Sequence, residues 1–190
     1  MTVTLAQEPA ADAMLSRDPF ALLTGMLLDQ QFAMERAFAG PYVIAKRLEM
    51  KKLSPARIAA MEPAAFAAIC SQVPAIHRYP GSMAKRIQLL AEAIERDYEG
   101  RTEAIWADVK TGAELLDRLK ALPGFGEQKS RIFVALLGKQ LGVRPRGWRE
   151  AAGAYGEHGS RRSIADVTSP KTLAEVRAFK QEMKAAARKS

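Results

Sequence analysis

Hydrophobic positions recur at helical spacing along most of the chain, and short polar or Pro/Gly-containing stretches separate the repeats. Asp12 to Arg17 reads as a short helix. Asp18-Pro19 pairs a capping residue with proline at the first helical position, and a helix is predicted from Phe20 to Phe38. Leu23, Met26, Leu27 and Gln30 form its stripe, so an amide interrupts an apolar face. Gly40-Pro41 is expected to end it, with Tyr42 to Met50 beginning the next. Ser54-Pro55 repeats the cap-then-proline signal, and Glu62-Pro63 opens a short helix through Cys70. Residues 73–82 read as loop. Ser82 is expected to cap a long amphipathic helix to Tyr98, with Ile87, Leu90, Ala91 and Ile94 inward. A short piece follows over Glu103 to Val109.

Thr111 to Ala121 and Gln128 to Leu141 read as two more helices, carrying Leu115, Leu116 and Leu119 on one and Ile132, Phe133, Leu136 and Leu137 on the other. Beyond Gly142 the pattern is irregular, with one or two helical turns over Trp148 to Tyr155 and polar loop to Arg162. Ser169-Pro170 starts the last helix, Lys171 to Ala187, with Leu173, Val176 and Met183 in a strip. Alanine is abundant and β-branched residues are sparse, so the expected class is all-α.

Between the two best-defined helices lies Leu122-Pro123-Gly124-Phe125-Gly126. Glycine tolerates positive φ and admits a ligand close to the backbone. A tight Gly-x-Gly turn that opens a helix presents free N–H groups at the positive end of the helix dipole, where an anion binds. Two readings of this stretch stand: a phosphate cradle, or an ordinary turn between packed helices. No strand precedes it, as a dinucleotide fold would require, and Gly-Lys-Ser/Thr is missing, so it is no nucleotide P-loop.

Composition narrows the partners. The 190 residues are 48% hydrophobic and carry a net charge of +8, with a pI near 9.8, a balance that suits a polyanion. From Arg144 to Ser190 there are 11 Lys and Arg against 5 Asp and Glu, so this stretch holds +6 of the +8. Cys70 is the single cysteine, which fits a reducing, cytoplasmic setting and excludes a four-cysteine iron–sulfur cluster. His77 and His158 are too few for a zinc site. No apolar run approaches membrane-spanning length, and no signal-like pattern opens the chain.

Leu-Pro-Gly-Phe-Gly-Glu-Gln-Lys-Ser, followed by an apolar helix ending Leu-Leu-Gly, resembles the helix-hairpin-helix of the HhH-GPD DNA glycosylase superfamily. Asp-Pro-Phe-x-Leu-Leu … Leu-Leu-x-Gln-Gln, at Asp18 to Gln31, is similar to the first core helix of that family. Met83-Ala84-Lys85-Arg86-Ile87 resembles its Lys-Ala-x-x-Ile helix start. The likeness covers about Asp18 to Val143 and is nearest to an actinobacterial-type branch. It implies a two-lobed all-α fold with a cleft between lobes. Residues 1–49 and 139–190 would form one lobe; residues 50–138, with the hairpin at 122–126, would form the other.

The resemblance also implies roles. Base-excision enzymes of this family grip one backbone phosphate with the hairpin amides, beside a nucleotide extruded from the duplex. Gly124, Phe125, Gly126, Gln128 and Lys129 match that hairpin. Gln30 and Gln31 match the glutamine that fills the space of the extruded base, and an amide suits that task because it carries donors and acceptors on one group. Arg144 and Arg146, with Arg149 nearby, suit phosphate contact; a solvated basic loop is the alternative. A monovalent cation at the hairpin carbonyls is compatible with the motif, and no other cofactor is expected. The expected partner is double-stranded DNA with a damaged base, bound by a monomer in the nucleoid.

Two departures touch the chemistry. The family aspartate that stabilises the sugar cation would fall within Gly142 to Trp148, a stretch with no Asp or Glu. The lysine of Schiff-base-forming relatives lies two residues after the second hairpin glycine, where this chain has Gln128. Lys129 comes one residue later, rotated about 100° around the helix. The expected activity is therefore monofunctional hydrolysis, with Asp29, Glu150 and Asp166 as candidates for the carboxylate. Their alternatives are a partner for an arginine, a surface charge, and a loop or cap contact. His77, Tyr79 and Trp148 are candidates for a base pocket through stacking, against ordinary core or loop roles. A protein of the same fold that binds lesions without catalysis is the second functional expectation; a helical protein that binds no DNA is the third.

Overall fold

In the computed structural model, residues 2–188 are described; they contain 11 α-helices and no strand. Proline sets many of the starts. Pro9, Pro19, Pro55, Pro63, Pro80 and Pro170 each open a helix, where the missing N–H costs no intrahelical bond. The helices are α1 (Pro9–Leu15), α2 (Pro19–Leu28), α3 (Met34–Arg47), α4 (Pro55–Ala59), α5 (Pro63–Ser71), α6 (Pro80–Tyr98), α7 (Ala104–Ala107), α8 (Gly112–Lys120), α9 (Glu127–Gln140), α10 (Trp148–Ala152) and α11 (Pro170–Ala187). Short 3-10 turns lie at Gly153–Gly156 and Ile164–Asp166. The caps at Asp18, Ser54, Glu62, Thr111 and Ser169 accept backbone N–H groups as their sequence context predicts. The start of α6 differs: Tyr79 is its N-cap and Ser82 lies inside the first turn, because Pro80 already fixes the helical φ.

The main correction concerns the helix predicted over Phe20 to Phe38. It stops at Leu28, and α3 begins at Met34 and runs through Gly40-Pro41. Pro41 removes one intrahelical hydrogen bond. Gly40, with no Cβ to clash with the proline ring, lets the helix continue past it. Packing supports this, since a Cβ on Gly40 would lie 2.6 Å from Leu28 Cδ1.

Phe20 to Leu28 are all buried, so α2 is apolar on every side and runs through the interior. α3 packs along it, α6 covers α4 and α5, and α10 lies across α8 and α9. Buried side chains from Val3 to Val176 make one contiguous cluster. Trp148 anchors α10 within it: a Cβ on Gly138 of α9 would sit 2.3 Å from the indole Cε3, so only glycine admits the ring there. No helix among the described residues is long and apolar enough to cross a membrane.

Candidate functional site

The turn between α8 and α9 is built by its own residues. Phe125 N–H donates to Leu122 C=O at 3.1 Å, with Pro123 and Gly124 between them and Gly124 at φ +81°. Proline followed by a positive-φ glycine is a type II turn. Gly124 is fixed twice over, because a Cβ there would lie 2.4 Å from Leu27 Cδ1 of α2. Gly126 is different. It is the N-cap of α9 at φ −78°, ψ 178°, and an added Cβ would meet nothing within 4 Å. No side chain caps α9, and the nearby acid, Glu127, is held by Lys120 at 2.8 Å and Arg131 at 2.7 Å. The first N–H groups of this 14-residue helix thus face outward unpaired by side chains.

The first turn of α9 also lines the larger cleft, of about 1130 Å³. Lys129 reaches across it, and its Nζ donates to Met26 C=O at 2.7 Å and Leu27 C=O at 2.8 Å. These are carbonyls that the early end of α2 leaves open, so Lys129 acts as a C-terminal cap. Burial pushes its ammonium down to about 8, against the opposing pull of Asp29. Asp29 is the C-cap of α2, half-buried in the same cleft. Burial raises its carboxyl above the ordinary range, Lys180 and Lys129 oppose the shift, and Glu35 adds to it.

Residues 29–33 form the turn that replaces the predicted helix. His77 holds it: Nδ1 accepts from Tyr79 N–H at 3.1 Å, so Nε2 carries the proton and donates to Gln30 C=O at 2.9 Å. Burial pushes the imidazole down, which keeps it neutral near pH 7. Phe32 packs on His77 at 4.7 Å between centroids, and Arg36 covers Phe32 at 4.8 Å. Gln31 is exposed at φ 50°, an uncommon backbone for a non-glycine residue. Gln30 and Gln31 line both this cleft and a second one of about 310 Å³, which His77 and Tyr79 share. Tyr79 is 49% exposed rather than core, with the Arg78 guanidinium over its ring at 5.0 Å to the centroid.

Other candidates separate from this group. Trp148 is a buried wedge against Gly138, with Arg149 stacked over it, and is no part of a base pocket. The Phe125 ring is buried edge-on against Phe133, and its N–H is already used in the turn, so its side chain is core. Glu150 is exposed on α10 and lines neither cleft. Asp166 is buried and satisfied. It pairs with Lys139 at 2.6 Å and accepts from Ser160 Oγ and the N–H groups of Arg162 and Ser163. Arg144 donates to Gly138 C=O, while the backbone of Arg146 ties to Lys110 and Gly112; neither residue lines a cleft.

Three contributions were not foreseen. Glu35 has one oxygen paired to Arg177 and the other buried without a partner. Tyr155 accepts from Gln128 Nε2 at 2.9 Å on the cleft wall. α11 brings Arg177, Lys180 and Lys184 to the same cleft. Their sequence signals are only a charge within a helical repeat and an aromatic in an irregular stretch. Comparison of the chain with protein-family models, with curated proteins and with solved structures finds no match.

Proposed function

We propose that this protein is a DNA base-excision glycosylase of the helix-hairpin-helix kind, with the two-lobed fold of that family, which hydrolyses the bond between a damaged base and deoxyribose. The observation that carries this reading is a juxtaposition. The uncapped start of α9, at the Gly124–Gly126 turn, stands beside a cleft that gathers Asp29, Lys129, Gln30 and Gln31. A phosphate accepted by the α9 N–H groups would hold one strand against this cleft. Gln30 and Gln31 would support the duplex where a nucleotide is extruded, and Tyr79 would stack on an exposed base.

Asp29 is then the carboxylate for the chemistry. As the C1′–N bond breaks, the departing base takes the electron pair and positive charge grows on the sugar. A carboxylate beside the sugar stabilises that charge and orients a water. The water oxygen forms the new bond to C1′, and its proton passes to Asp29 or to solvent. Lys129 and Lys180 favour the ionised form that this role needs, against the effect of burial.

The test is base release from duplexes that each carry one defined lesion, with strand cleavage read before and after alkali. Release followed by cleavage only after alkali is expected, and Asp29→Asn should abolish release while keeping DNA binding. Release that survives Asp29→Asn overturns the assignment. A second reading has its own observation: Lys129 lies in the same cleft, and burial lowers its ammonium to about 8, closer to the neutral amine that a Schiff base requires. Its two carbonyl contacts occupy that amine, which is why hydrolysis without a covalent step is preferred. Borohydride trapping of a Lys129–sugar adduct would reverse the order. Tight, salt-sensitive binding with no release from any lesion would favour a lesion-binding protein instead.

A further inference from the structure

α11 is anchored by its first half alone. Leu173 and Val176 are buried, and every residue from Gln181 to Ala187 is exposed. From Arg177 to Arg188 the basic residues nevertheless share one side of the helix. At 100° per residue, Arg177, Lys184 and Arg188 fall within about 20° of one line, and Lys180 lies about 60° to one side. Glu175 and Glu182 fall on the opposite side. The basic side meets the cleft through Arg177, Lys180 and Lys184, beside Phe179, Gln181 and Met183 of the same helix. Lys184 has no acidic partner among the described residues, and Lys180 rests on Met34 Sδ at 3.3 Å. Arg78, Lys129 and Arg162 add positive charge from other walls, against Asp29 as the one acid lining the cleft among the described residues.

Resting on the DNA-binding reading above, we propose that the cleft-facing side of α11 is a second phosphate track, which grips the DNA backbone independently of the hairpin. From Arg177 to Arg188 the stripe spans about 16 Å, and DNA carries one phosphate per about 3.4 Å of axis on each strand. The stripe therefore meets several successive phosphates. Its chemistry disfavours a lipid surface: an interfacial helix needs a broad face of large apolar residues, and past Val176 this helix offers only Phe179 and Met183 among alanines. Arg177 is held in place by Glu35, which fixes one end of the track while Lys184 and Arg188 remain available.

The experiment is equilibrium binding of the full chain to a short duplex bearing one abasic-site analogue, measured across a salt series. Each phosphate contact contributes about 0.9 to the slope of log K against log salt. Lys184→Gln with Arg188→Gln should reduce the slope by about 1.8, at unchanged helicity by circular dichroism. Lys184→Arg should keep it, and Lys171→Gln, on the other side of the helix, should leave it unaltered. An unchanged slope in the double variant, with binding still lost on Gly126→Asp, overturns the track while leaving the hairpin reading intact. Absence of any salt-sensitive DNA affinity in the unaltered protein overturns both. Loss of affinity for anionic phospholipid vesicles, with DNA affinity retained, would assign the helix to a membrane surface and overturn the track.

Discussion

Gly126→Asp should make the protein more stable and a worse DNA binder. Gly126 has ordinary backbone angles, and its Cβ position is open, so the change introduces no strain. An aspartate there accepts from the free N–H groups of α9 and places negative charge at the positive end of the helix dipole, about 0.3–1 kcal/mol. Losing a glycine from the unfolded chain adds about 0.4–1 kcal/mol. Repulsion from Glu127 takes some of this back, moderated by the Lys120 and Arg131 contacts to that residue. The net is about 1 kcal/mol, or about 2–4 °C in Tm for a chain of this size. The same carboxylate occupies the donors a phosphate needs and repels it, a loss of at least about 2 kcal/mol, near 30-fold in Kd. Urea melts and fluorescence anisotropy on duplex DNA would read both. Gly124→Ala is the contrasting change, since positive φ and the 2.4 Å approach to Leu27 Cδ1 cost about 2–4 kcal/mol. If Gly126→Asp destabilises the fold as Gly124→Ala does, or binds DNA as tightly as the parent, the division of labour between the two glycines is wrong.

Three further outcomes follow from the packing and charge. Lys129 loses its proton near pH 8 when folded and near 10.5 when unfolded; between those values the unfolded chain binds more protons, so this group makes stability rise with pH across that window, by up to about 3 kcal/mol. Denaturant melts from pH 7 to 10.5 should show the rise weakened in Lys129→Met. Asp166→Ala leaves the half-buried Lys139 without its partner and should cost about 3 kcal/mol, with base release per folded molecule unchanged; loss of release in a well-folded Asp166→Asn would instead restore Asp166 as a catalytic candidate. Gly138→Ala forces a methyl into the Trp148 ring and should cost about 1–3 kcal/mol, with Trp148→Leu recovering part of it as a coupling measurable in a double-mutant cycle.

The sequence by itself determined what depends on neighbours along the chain. Helical periodicity, proline starts and the capping of Asp18, Ser54, Thr111 and Ser169 are interactions within four residues, so they are legible without the fold. The α8–α9 turn is similarly local, because proline and a positive-φ glycine specify it. Tertiary structure decided the rest. The Phe20–Phe38 pattern is acceptable as one helix, and what ends it at Leu28 comes from far away in sequence: Lys129 takes the freed carbonyls and His77 holds the turn. The same distance hid the environment of Asp29, whose carboxyl is raised by burial and then by Glu35, against Lys180 and Lys129, from three other elements. Trp148 and Asp166 offered themselves as functional by residue type, and only packing shows one filling the space above a glycine and the other neutralising a half-buried lysine. Local signals fix helices because their energies are local; a cleft lined by the end of α2, the start of α9 and the side of α11 exists only once burial brings those ends together.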